Sequence, residues 1–185
     1  MNRRRSLKIL GGTAVGIAGL VLADWKWQLL DGMNHSGFFT VKEEKLISAI
    51  ADTIIPEGLP PNTPSPDAKP IGALSTGTDV YLMKLFEHCY SKEDQDQIKV
   101  QLAALDSHAG SKLAKSFYKL PQENRESLLL SLASSENEGD REFFDLMKSE
   151  TITGFTTVKE VMVGYRNYKV APGYYHGCVD LPAQT

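Results

Sequence analysis

Histidine and cysteine approach each other twice in this chain, at His88-Cys89 and at His176-Gly177-Cys178. Two imidazoles and two thiolates are a donor set for tetrahedral zinc. Structural zinc sites, however, take their ligands in pairs spaced by two or more residues. Neighbours on a helix project about 100° apart, so His88 and Cys89 cannot easily hold one ion. A thiolate–imidazole nucleophile is the second chemistry open to these residues. It needs a free thiol and a third group to orient the base, and the sequence marks neither. The third is a bridge from Cys89 to Cys178, the chain's two cysteines. Outside the cytoplasm an even pair favours a disulfide. A loop of that span would be worth roughly 4 to 5 kcal/mol in the chain-entropy model, as an upper figure. The bridge is the preferred reading, and no catalytic or metal residue is assigned.

The carboxylate clusters Glu43-Glu44 and Glu93-Asp94-Asp96 fall where helices start. Negative charge there complements the helix dipole. Acid–base catalysis would instead need one carboxyl in apolar surroundings. No Gly-x-Gly-x-x-Gly follows a strand, and there is no phosphate loop, no Cys-x-x-Cys-His and no Gly-x-Ser-x-Gly. The chain is expected to bind no cofactor of its own.

The elements that must position these residues read as helices. Thr40 and Glu43 form a capping box. Leu46, Ile47, Ile50, Ala51, Ile54 and Ile55 follow at helical spacing until Pro56 stops the run. Residues 56–77 hold six of the nine prolines and exclude helix or central strand. A loop this long is either functional or a plain surface excursion. A second helix is expected over about 79–90. A third, capped by Ser91, carries Ile98, Leu102 and Leu105 and ends near Gly110. Residues 111–120 read as a short helix, and Pro121 opens another. Residues 134–140 break the pattern, and 141–153 resume it. Thr157-Val158-Lys159-Glu160 repeats Thr40-Val41-Lys42-Glu43 and reads as a further capped start. The tail from 164 is rich in tyrosine and glycine without helical period, and is expected to pack on the helices irregularly. The fold class is all-α, a single small domain of about six helices.

The N-terminus is of a different kind. Arg3, Arg4, Arg5 and Lys8 precede an uncharged run from Ile9 to Ala23. A basic head, a moderate apolar body and small residues at its end make an export signal. The consecutive arginines make it a twin-arginine one. Asn2 to Lys8 fits that pattern through Arg3, Arg4, Leu7 and Lys8, while Ser6 sits where an apolar residue is usual. Val21 and Ala23 suit cleavage after Ala23. The run is short and glycine-rich for a bilayer span, although an uncleaved signal can also tether. The division is therefore signal 1–23, connector 24–37 and domain 38–185. Trp25 and Trp27 in the connector suit either a membrane interface or an apolar patch. The chain has 20 basic and 23 acidic residues. The signal holds four of the basic ones and none of the acidic ones, which leaves 16 against 23, a net of about -7. Nucleic acid, which needs clustered Lys and Arg, is a poor partner for such a surface.

In order and spacing these features resemble the small subunit, subunit 3 or gamma, of gluconate 2-dehydrogenase-type complexes. The resemblance rests on the twin-arginine head, on FFTVKEEKLISAIADTIIPE, and on the proline-rich loop. It also rests on Phe86-Glu87-His88-Cys89-Tyr90, on Phe143-Phe144-Asp145-Leu146-Met147-Lys148 with Thr151 and Gly154-Phe155-Thr156, and on Pro172-Gly173-Tyr174 before Cys178. It implies a large FAD-containing partner of the glucose-methanol-choline type that oxidises a sugar, sugar acid or glycoside. It implies a cytochrome c subunit carrying haem c to take the electrons. It also implies that this chain supplies the export signal through the twin-arginine translocase to the periplasm, as escort rather than catalyst. The family offers no catalytic residue to carry over. The competing readings are a stand-alone exported binding module and a zinc or cysteine enzyme.

Overall fold

In a computed structural model of the chain, the described residues are 37–59, 69–164, 166, 168, 169, 171 and 173. The signal (Arg3, Arg4, Leu7, Lys8, Ala23), the connector up to residue 36, and His176 and Cys178 lie outside them.

The described residues form an all-α domain built around its first helix, α1 (Val41–Ile54). The capping box is present: the Glu43 N–H donates to the Thr40 hydroxyl at 3.3 Å, and the Glu43 carboxylate accepts from the Thr40 N–H at 2.8 Å. Leu46, Ile47, Ile50 and Ala51 are buried because their spacing puts them on one stripe. Ile55 leaves helical geometry just before Pro56. Around α1 stand α2 (Thr78–Cys89), α3 (Lys92–Leu113), a 3-10 turn (Phe117–Lys119), α4 (Gln122–Ala133) and α5 (Glu138–Thr157). All five touch α1. The short α6 (Lys159–Gly164) follows α5 and packs on it.

Polar side chains satisfy the helix ends that packing leaves open. The last turn of α1 has no basic residue of its own, and α4 supplies one. Arg125 donates to the Ala49 carbonyl at 3.1 Å and to the Asp52 carboxylate at 2.8 Å, while Gln122 donates to the Thr53 carbonyl at 3.1 Å. A cation is favourable at that negative helix end. Asp106 of α3 holds the 3-10 turn. It accepts from the Ser116 hydroxyl at 2.5 Å and the Phe117 N–H at 2.9 Å, and pairs with Lys42 of α1 at 2.5 Å. Lys99 of α3 fastens the approach to α1: it donates to the Phe38 carbonyl at 2.9 Å and lies 3.8 Å from the Phe38 ring centroid.

Four boundaries differ from the sequence reading. Gly110 does not end α3, which runs on to Leu113 and closes at Ala114 with a left-handed φ of 53°. Residues 111–113 thus belong to α3, and only 117–119 form a separate turn, of 3-10 type. The polar break after α4 is confined to 134–137, so α5 starts at Glu138 under an Asn137 cap and runs to Thr157. Thr157 does not cap a helix. It is the last residue of α5, and its hydroxyl donates back to the Thr153 carbonyl at 2.9 Å. Tyr168, the one tail tyrosine described, is 51% exposed rather than packed away. No helix among the described residues is long and apolar enough to cross a membrane.

Candidate functional site

The residues singled out for chemistry are dispersed. Cys89 ends α2 exposed, and exposed His88 lies 3.8 Å from its neighbour Glu87. Among the described residues no three metal-ligating side chains converge. The bridge from Cys89 to Cys178 has its second half outside the described residues. Glu43 completes the capping box of α1, the Asp94 carboxylate accepts from the hydroxyl of the Ser91 cap at 2.6 Å, and Asp96 pairs with Lys92 one turn away.

What does converge is the pair of segments on which the resemblance rests. Phe86–Tyr90 ends α2, residues 143–156 run along α5, and the two helices pack together. Gly154 makes the close approach possible. A Cβ built there would lie 2.4 Å from Cδ1 of Tyr81, so that ring rests on the α5 backbone. Tyr90 is held at two points. Its ring meets Phe86 edge-on at 5.3 Å, and its carbonyl accepts from Gln95 at 3.3 Å. The same Gln95 amide caps α2 through the carbonyls of Phe86 and Glu87, at 3.0 and 2.8 Å. Burial first, then the Glu150 carboxylate, raises the pKa of Tyr90 and also that of Tyr81. Both phenols therefore stay protonated through the physiological range.

Beside this seam opens a cleft of about 330 Å³. Ile98, Phe143 and Leu146 make its apolar floor and Tyr90 its wall, while Asp94 and Glu142 stand at its edge. A second cleft of about 320 Å³, between α3 and α4, is bordered by Leu105, His108, Lys112, Ser131 and Leu132. The two share Gln101, and the adjacent residues Gly139 and Asp140 line one each. Both lie along α3. A Cβ on Gly139 would come within 3.1 Å of the Gln101 amide nitrogen, so glycine gives that amide its room. The lining offers charge, amide hydrogen bonding and apolar surface, a recognition chemistry rather than a reactive one.

The sequence reading missed these clefts. A signal was present: Asp94, Gln97, Gln101, His108 and Lys112 recur at helical spacing along one side of α3. The partner elements, Glu142 and Ser131, come from other helices, and nothing local predicts that they would meet it.

The proline-rich loop has a fastened neck. Gly58 and Ile71 exchange two backbone hydrogen bonds, at 3.1 and 3.0 Å, and the Ala73 N–H donates to the Ile55 carbonyl at 3.0 Å. Gly72 must be glycine, because a Cβ there would lie 2.7 Å from the Glu57 nitrogen. Leu59 and Leu74, on either side of the neck, are exposed. Residues 60–68 lie outside the described residues.

One family model matches the chain, that of gluconate 2-dehydrogenase subunit 3, over residues 41–173. No curated protein and no solved structure matches it.

Proposed function

From the premise that the chain belongs to the gluconate 2-dehydrogenase subunit 3 family, a match that covers well over half its length, we propose that it is the non-catalytic small subunit of an exported FAD-dependent dehydrogenase complex. Its partner is a large flavoprotein of the glucose-methanol-choline type, which oxidises a hydroxyl of a sugar, sugar acid or glycoside. A cytochrome c subunit takes the electrons onward. The chain addresses the assembled pair to the twin-arginine translocase through Arg3 and Arg4, and its helical domain binds and steadies the flavoprotein. FAD sits in the partner, and this chain holds no cofactor. The complex works in the periplasm.

The observation that carries this reading is the union, in one chain, of a twin-arginine head with a domain of an oxidoreductase subunit family. A route that exports folded proteins suits a partner that must load FAD before crossing. The clefts along α3 and the exposed leucines at the loop neck agree with a domain that presents recognition surfaces.

Affinity purification of the tagged chain from its host, followed by flavin fluorescence and mass spectrometry, tests it. The expected result is a large FAD-containing chain in equal amount. A chain that purifies alone and turns over substrate, or carries stoichiometric zinc, contradicts it.

A further inference from the structure

We propose that one end of the domain rests on an anionic phospholipid surface through Lys42, Lys45, Lys115 and Lys119. The inference does not depend on the partnership proposed above.

Three observations carry it. First, two contacts gather these lysines from separate elements. Asp106 joins Lys42 of α1 to Ser116 and Phe117, next to Lys115. The Tyr118 ring takes the Lys45 ammonium of α1 at 6.0 Å from its centroid and that of Lys119 at 5.6 Å. All four lysines are exposed. The carboxylates at this end are spent within the domain. Glu43 is bonded to Thr40, Asp106 to Lys42 and the turn, and half-buried Glu44 is engaged as well. From Ser107 to Gln122 the sequence has no carboxylate at all. On a domain that is acidic elsewhere, such a patch draws an anionic surface to one face and turns the others away. Second, the patch suits lipid headgroups better than a shaped protein site. Its charges are all lysine ammonium, point charges without the fork that arginine offers a fixed carboxylate. Leu113, two residues before Lys115, is exposed, and an apolar side chain among lysines can enter the headgroup layer. Third, the chain leaves the described domain at this end. Lys99 holds the Phe38 carbonyl at 2.9 Å, four residues before Lys42. Residues 24–37 join that point to the apolar run Ile9–Ala23, a reach of about 46 Å at 3.3 Å per residue. A bilayer that holds the run, in transit or as a tether, therefore brings lipid within reach of the patch. Each lysine beside an anionic surface tightens binding about fivefold, an attraction that salt screens.

The test is sedimentation of the full chain with vesicles of phosphatidylcholine alone or mixed with phosphatidylglycerol, at two salt concentrations. Every variant keeps the N-terminus, so the lipid binding of the apolar run is common to all. Lys45→Gln with Lys119→Gln is expected to weaken binding to the anionic vesicles about twentyfold, and Lys115→Gln alone about fivefold. Lys84→Gln with Lys148→Gln removes equal charge from exposed sites on α2 and α5 and should stay within about threefold. Unchanged circular dichroism and melting check the fold. Hydrogen exchange on the vesicle-bound wild type should show new protection at 111–120. Equal loss in the two double variants would reduce the effect to net charge and overturn the patch. Binding that ignores both phosphatidylglycerol and salt, or unchanged exchange at 111–120, would leave only the apolar run in the bilayer and overturn it too. Patch variants that bind vesicles like wild type but lose the flavoprotein would make the occupant an acidic protein, and the proposal falls.

Discussion

Asp106 shows how one carboxylate can hold three elements. Burial pushes its pKa up, but Lys42, the Ser116 hydroxyl and the Phe117 N–H outweigh that and hold it below the ordinary value. A folded pKa below the unfolded one means the unfolded chain binds the proton more readily. The stabilisation is therefore complete above about pH 4 and is lost as pH falls through the lowered value. Asp106→Asn keeps an acceptor but turns a donor toward Lys42, and should cost about 1 to 3 kcal/mol at pH 7. Urea midpoints should show the gap to wild type narrowing between pH 7 and pH 3; a constant gap would contradict the assignment. Two glycines make an opposed pair. Gly154→Ala drives a methyl into Tyr81 and should cost about 1 to 3 kcal/mol. Gly110→Ala meets nothing within 4 Å on an exposed turn of α3 and should gain about 0.5 to 1 kcal/mol. Melting temperatures of the two variants should move in opposite directions, and a shared direction would refute the packing described at Gly154.

Among the elements, the neck at Gly58 and Ile71 makes the proline-rich loop separable from the core. Replacing residues 60–68 with a short Gly-Ser connector changes closure entropy by less than about 1 kcal/mol. The melting temperature should stay near wild type while affinity for the flavoprotein falls. Loss of the fold would show that the loop is structural, and unchanged affinity would remove it from the partner surface. The helices themselves were legible wherever their signal was local. Thr40 with Glu43, Pro56, Ser91 and Pro121 each act through atoms within one turn, and each marks its boundary where the sequence placed it. The misreadings came where packing overrode a local cue. Gly110 carries a helix cost of about 1 kcal/mol, yet buried Leu105 and Ala109 hold α3 on course through it. Thr157 has the chemistry of a cap but finds the carbonyls of its own helix first. Nothing local marks the packing role of Gly154 or Gly139, because it depends on Tyr81 and Gln101, contributed by other helices.

At the scale of the whole molecule, a basic head precedes an acidic helical domain of the gluconate 2-dehydrogenase subunit 3 family. The domain's polar side chains are largely spent on capping and stapling helices. Open polar and apolar surface lines the two clefts along α3, and exposed leucines flank the loop neck. In the function proposed above, such a chain works by binding and its address serves two proteins. Changing Arg3 and Arg4 together to Lys, and fractionating cells that carry the flavoprotein, tests that most directly. The account predicts that both proteins accumulate in the cytoplasm, with the flavoprotein still holding FAD and still bound to this chain. A flavoprotein that reaches the periplasm in normal amount under the double substitution would contradict it.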